Sequence, residues 1–90
     1  MRLDLFLKAS RLCPRRTVAQ KICEAGRVHV NGNPAKSSHA VEAGDEILMR
    51  SHSKLKKVRV LTVPTGRQTS RKEAGALFEV LSEEVLVETE

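Results

Sequence analysis

The residues best placed to do chemistry lie in the run Arg11-Leu12-Cys13-Pro14-Arg15-Arg16-Thr17. Thr17-Val18-Ala19-Gln20, directly after the arginines, has the form of a capping box, with Thr17 as N-cap of a helix. A helix N-terminus carries unpaired N–H groups and the positive end of the macrodipole. Cations standing there are repelled unless an anion lies between them. A phosphate satisfies the arginines and the amides together, so Arg11, Arg15 and Arg16 read as a phosphate clamp. The plainer reading is a pair of solvated turn arginines. Arg2 stands before a first helix, Lys8 shares a helical stripe with Arg11, and Lys36 follows a hairpin turn. All of these cations converge if the two helices pack beside the hairpin.

Other chemistries find less support. No Ser, Cys or His stands in a nucleophile motif, and no phosphate-cradling glycine loop is present, so no enzyme and no cofactor are expected. Asp4 is better explained as a partner for Lys8, or as a helix cap, than as a catalytic acid. Cys13 and Cys23 do not combine with His29, His39 or His52 at any standard zinc spacing. Cys23 falls on an apolar helix face and reads as core. Lys54, Lys56, Lys57 and Arg59 form a second basic patch, either another phosphate contact or the charged face of an edge strand.

The positioning elements follow from periodicity. Leu3 to Leu12 is a helix, apolar except for a stripe of Asp4, Lys8 and Arg11 left in water, and Pro14 disfavours its continuation through Cys13. Thr17 to Ala25 is a second helix, burying Val18, Ala19, Ile22, Cys23 and Ala25, with Gly26 ending it in a left-handed conformation. Arg27 to Val30 alternates as a strand, and Asn31-Gly32 is a hairpin turn because both residues tolerate positive φ. Pro34 keeps the return strand short. Glu46 to Arg50 and Leu55 to Val63 are strands, with Ala43-Gly44-Asp45 a turn before them and Pro64 to Thr69 a loop after. Ser70-Arg71-Lys72-Glu73 resembles another capping box, and Ala74, Leu77, Phe78 and Leu81 follow at helical spacing, which predicts a C-terminal helix. Val85 to Val87 is a short last strand or a frayed end.

Ninety residues with no Trp or Tyr and two Phe build one small aliphatic core, with Phe6 and Phe78 as its large pieces. The fold class is therefore α+β. Residues 1–64 form the main unit, and 65–90 a helical, acidic tail packing on it. Residues 1–59 hold 13 Lys/Arg against 5 Asp/Glu, a net of +8, whereas 60–90 hold 3 against 6, a net of −3. A basic front calls for a phosphate-rich partner. The aromatics that stack on single-stranded bases are missing, so structured RNA recognised by backbone and shape is the expected ligand. A protein-interaction domain using the acidic tail is the alternative from another class. No stretch is apolar for long enough to span a membrane, no signal peptide is evident, and a cytoplasmic monomer with reduced thiols is expected.

An ordered set of short motifs narrows this further. Arg2-Leu3-Asp4, Ser10-Arg11-Leu12, Arg15-Arg16-Thr17, Gly26 to Gly32 and Gly44-Asp45-Glu46 resemble the RNA-binding domain named after small-subunit ribosomal protein S-four, across residues 1–50. The resemblance implies two N-terminal helices packed on a small, bent antiparallel sheet, with RNA held by the helical face and hairpin. Arg2, Arg11, Arg15 and Arg16 are the implied RNA contacts, joined by Lys8 and Lys36. Leu5 and Pro14 stand where relatives often carry basic residues. Length and acidic tail resemble the compact RqcP branch of that family more than its heat-shock branch of about fifteen kilodaltons. That resemblance implies binding to ribosomal RNA of the free large subunit and to its peptidyl-tRNA, alongside the NEMF-family factor RqcH, during C-terminal alanine tailing. The heat-shock branch would instead imply a subunit assembly or recycling factor.

Overall fold

The computed structural model describes residues 1–51, 54–64 and 74–85. Helix α1 runs from Leu3 to Ala9 and places Leu3, Phe6 and Leu7 on one wholly buried face, the i, i+3, i+4 geometry of a helix against a core. Its first N–H groups are satisfied by tertiary contacts. Leu3 N–H donates to the His39 carbonyl at 2.7 Å and Asp4 N–H to the Ser37 carbonyl at 3.1 Å.

Helix α1 stops at Ala9, earlier than the expected Leu12, and Pro14 is not what stops it. Ser10 is the C-cap and Arg11 turns left-handed at φ 61°, its N–H donating to the Lys8 carbonyl at 3.0 Å. Left-handed geometry strains a side chain bearing Cβ, and glycine relieves it. Arg11→Gly is expected to raise the urea midpoint, by about 0.5–1 kcal/mol in stability. A lowered midpoint would show that the arginine contributes more through packing than it costs in backbone strain.

Helix α2 spans Arg16 to Glu24, one residue earlier at each end than the pattern predicts. Arg15 is the N-cap, with no side-chain cap hydrogen bond, so the Thr17–Gln20 capping box does not form. Gln20 is drawn into a tertiary bond instead. At the other end Gly26, at φ 74°, makes the Schellman pair, with Gly26 N–H to the Cys23 carbonyl and Arg27 N–H to the Ile22 carbonyl. Ala19 and Cys23 form the buried face, while Val18 and Ala25 are exposed, contrary to expectation.

The strands are β1 (Val28–Val30), β2 (Asn33–Pro34), β3 (Glu46–Arg50), β4 (Lys54–Val60) and β5 (Phe78–Val85), in one antiparallel sheet of order β2-β1-β3-β4-β5. The Asn31-Gly32 turn joins β1 to β2. Asn31 also staples its hairpin to β3, its Nδ2 donating to Asp45 Oδ1 at 3.1 Å and its Oδ1 accepting from Glu46 N–H at 3.0 Å. Val28, Val30, Ile47, Val58 and Val60 share the face covered by the helices and close the core on Phe6.

Three expectations about the C-terminal half need correction. The helix predicted through Leu81 is not formed there: helical geometry ends at Gly75, and Phe78 to Val85 pairs along β4. Tertiary pairing overrides the helical spacing because β4 would otherwise be an open edge. β4 is consequently an interior strand, which removes the edge-strand explanation of its lysines. Phe78 is half-buried at the border of the core and not at its centre. The predicted capping box at 70–73, the loop over 65–69, and residues 86–87 lie outside the described residues.

Candidate nucleic-acid interface

Asp4 organises the basic end of the molecule. It sits on the first turn of α1 among Leu3, Phe6 and Leu7, and its side chain is wholly buried. A buried carboxylate is stable only when its lone pairs are filled. Arg2 Nε donates to Oδ1 at 3.2 Å, Arg16 Nε to Oδ2 at 3.1 Å, Gln20 Nε2 to Oδ2 at 3.1 Å, and the Leu5 N–H to Oδ1 at 2.8 Å. Burial by itself pushes the Asp4 pKa up. The bonds from Gln20, Arg16, Arg2 and the Leu5 amide outweigh it, and the net displacement is below the ordinary carboxylate value. Asp4 is therefore an anion at neutral pH.

The consequence is two arginines held by their Nε edges. Each side chain remains 45% exposed, leaving guanidinium N–H groups free to face solvent. Two cations fixed by one carboxylate retain a net positive charge and have already lost much of their rotamer freedom. Such an arrangement suits a phosphate, which accepts from both forks.

The structure divides the other predicted contacts. Lys36 begins the 36–39 turn that bonds the N-terminus of α1, so it lies at the same end as Arg2. Lys8 is exposed one turn along α1 from Asp4. Arg15 is exposed at the uncapped N-terminus of α2. Arg11 does not join Arg16, and the predicted clamp of Arg11, Arg15 and Arg16 is not assembled. The left-handed turn after Ser10 carries Arg11 to the far end of α1, into a groove with Arg27, Arg50, Lys54 and Lys56.

Asp4 and Gln20 are the residues that sequence reasoning missed. Asp4 was assigned to a stripe in water, as a partner for Lys8 or a helix cap; it is buried, with partners on α2 and at Arg2, and it also accepts from the Leu5 amide in the first turn of α1. A carboxylate on a turn otherwise occupied by Leu3, Phe6 and Leu7 is the signal that could have found it, because such a charge is tolerated only when paired.

The Lys54–Arg59 patch is largely neutralised by flanking strands. Lys57 Nζ lies 3.0 Å from Glu46, Arg59 lies 3.6 Å from Glu46 and 4.0 Å from Glu79, and Lys56 lies 3.6 Å from Glu83. The acidic strand β5 thus offsets cations on β4. Lys54 makes no ion pair among the described residues.

Cys13 and Cys23 are buried in the core, and burial raises each thiol to about 11; Cys13, Asp4 and Glu24 add to the rise at Cys23. Both are protonated at neutral pH and poor nucleophiles.

The model of the S4 domain family matches residues 1–47. The chain is 48% identical to the RQC P-site tRNA stabilizing factor of Halalkalibacterium halodurans over the whole of both chains. It is 44% identical to the Bacillus subtilis protein of the same name, over 98% of this chain and 100% of that one. Among solved structures, the trimeric heat shock protein 15 of Vibrio cholerae superposes with a TM-score of 0.80 at 34% identity, covering 91% of this chain and 82% of that one.

Proposed function

This chain belongs to the S4 domain family, and from that premise we propose that it binds structured RNA on the large ribosomal subunit in ribosome-associated quality control. It holds peptidyl-tRNA against ribosomal RNA while a stalled nascent chain receives its alanine tail, with RqcH as the tailing partner. It acts in the cytoplasm by positioning, with no bond made or broken.

The observation that carries this reading is the Arg2–Asp4–Arg16 cluster, which presents two pre-positioned guanidinium groups at the uncapped start of α2, at the end of α1 that bonds the 36–39 turn. The names of the relatives aligned over the full chain support the step from RNA to P-site tRNA. Arg2, Arg15, Arg16 and Lys36 serve as phosphate contacts at that end, Lys8 serves one turn further along α1, and Arg11 contacts RNA from the other end of α1.

Sedimentation tests the proposal. The chain should co-migrate with large subunits bearing peptidyl-tRNA and bind empty large subunits at least about tenfold more weakly, a difference of about 1.4 kcal/mol. Equal binding to both would favour the subunit-assembly or recycling role.

A further inference from the structure

The groove that receives Arg11 is a second, chemically different site. It has a volume of about 340 Å³, at the small end for ligand pockets, and opens where the C-terminal ends of both helices meet the sheet. Its cations come from four separate segments: Arg11 follows α1, Arg27 follows α2, Arg50 ends β3, and Lys54 begins β4. None of these makes an ion pair among the described residues. Its floor is apolar, formed by Leu12, Ile22, Met49 and Phe78. Lys56 stands 6.0 Å above the Phe78 ring and is tied to Glu83.

Helix dipoles account for part of this, since a cation after a helix C-terminus is favoured. They do not account for Arg50 or Lys54, which lie on strands. Nor do they account for keeping an arginine at a left-handed position that glycine would occupy without strain. Cations around the rim and an aliphatic floor with one aromatic ring match one nucleotide, with phosphate outside and base within. The groove is too small for a helical segment. A paired nucleotide would have to be unstacked to enter, whereas an unpaired one enters at little cost.

We propose that this groove binds one unpaired nucleotide of RNA, its base on Leu12, Met49 and Phe78 and its flanking phosphates on Arg11, Arg27, Arg50 and Lys54. The inference rests on the RNA-binding reading above and adds to it a site selective for a bulged or looped base. The site lies about 10 Å along α1 from Asp4, given the rise of a helix, so one chain engages two stretches of RNA backbone.

The test uses the full chain and two RNA hairpins, identical except that one carries a single unpaired 2-aminopurine in its stem. Anisotropy should show about tenfold tighter binding of the bulged hairpin, and the 2-aminopurine emission should change on binding. Arg50→Gln with Lys54→Gln, both exposed positions, should abolish the preference and leave binding of the paired hairpin within about threefold. Phe78→Leu, which keeps the floor apolar, should remove most of the emission change. Equal wild-type affinity for the two hairpins, or a preference that survives the double substitution, overturns the nucleotide site while leaving the proposed function standing. Binding of neither hairpin overturns both.

Discussion

Replacing both Arg2 and Arg16 by alanine is expected to lower affinity for structured RNA about a hundredfold at ~0.15 M salt, about tenfold for each charge-assisted phosphate contact. The log–log salt slope should fall in magnitude by about 1.5–2, because each lost contact releases one counterion fewer. The wild-type slope is expected near −3 to −4 for a surface using about four phosphates. Removing both arginines also strips Asp4 of two of its donors, leaving Gln20 and the Leu5 amide. The variant will therefore be less stable, and lost binding could be confused with lost folding. Adding Asp4→Asn to the pair separates the two. The triple variant should regain stability, since the buried site is then uncharged, and should stay about a hundredfold weaker in binding. Titrations read by anisotropy at several salt concentrations, with urea melts of each variant, check both parts. Recovered binding in the triple variant would mean that the arginines contribute only to folding.

Asp4→Asn alone gives the second large effect. It raises the net charge from +5 to +6, so charge by itself predicts tighter RNA binding. The geometry predicts about tenfold weaker binding, because Arg2 and Arg16 lose the carboxylate that holds their Nε edges in place. Stability should fall by about 1–2 kcal/mol at neutral pH. That is less than the ~3–5 kcal/mol typical of breaking a buried pair, because both arginines are half-exposed and screened by water. The pH dependence has a definite sign. The folded-state pKa of Asp4 is depressed, so its contribution is fully present above the unfolded value of about 3.9 and disappears as pH falls through the lower folded value. The stability curves of wild type and Asp4→Asn should therefore be parallel near neutrality and converge below about pH 4. Curves that remain separated in acid would show that the asparagine damages packing, independent of charge.

Both effects depend in part on contacts far apart in the chain, those of Asp4 with Arg16 and Gln20, which explains how much of the site was legible. Arg2 and Arg16 were identifiable as cations near helix starts, and both belong to the cluster. Arg11 was identifiable as a cation yet was assigned to the wrong cluster, because a helix projection continued through Ser10 does not anticipate a left-handed arginine. The acidic C-terminal segment was recognised by composition. Its pairing as β5, with Glu79 and Glu83 against Arg59 and Lys56, required knowing that β4 had a free side. Phe78 and Leu81 fit a helical stripe with Ala74 and Leu77. The same residues also tolerate a strand, and a short apolar pattern does not choose between them.

By itself the sequence determined what is settled within a few residues. Asn31-Gly32 and Gly26 tolerate positive φ and made the turn and the helix end they predict. The 3.6-residue repeat of Leu3, Phe6 and Leu7 made a buried helical face, and alternation in Arg27–Val30 made a strand with Val28 and Val30 buried. The excess of Lys and Arg before residue 60 marked the basic half. Tertiary structure decided which charge meets which. Asp4 finds Arg16 and Gln20 across separations of 12 and 16 residues, and Arg11 meets Arg50 and Lys54 only where helix ends and strand ends converge. The physical reason is that a buried carboxylate must recruit donors from whatever packs over it. Local sequence names the charge and supplies Arg2 and the Leu5 amide, and the packing of α1 on α2 supplies Arg16 and Gln20.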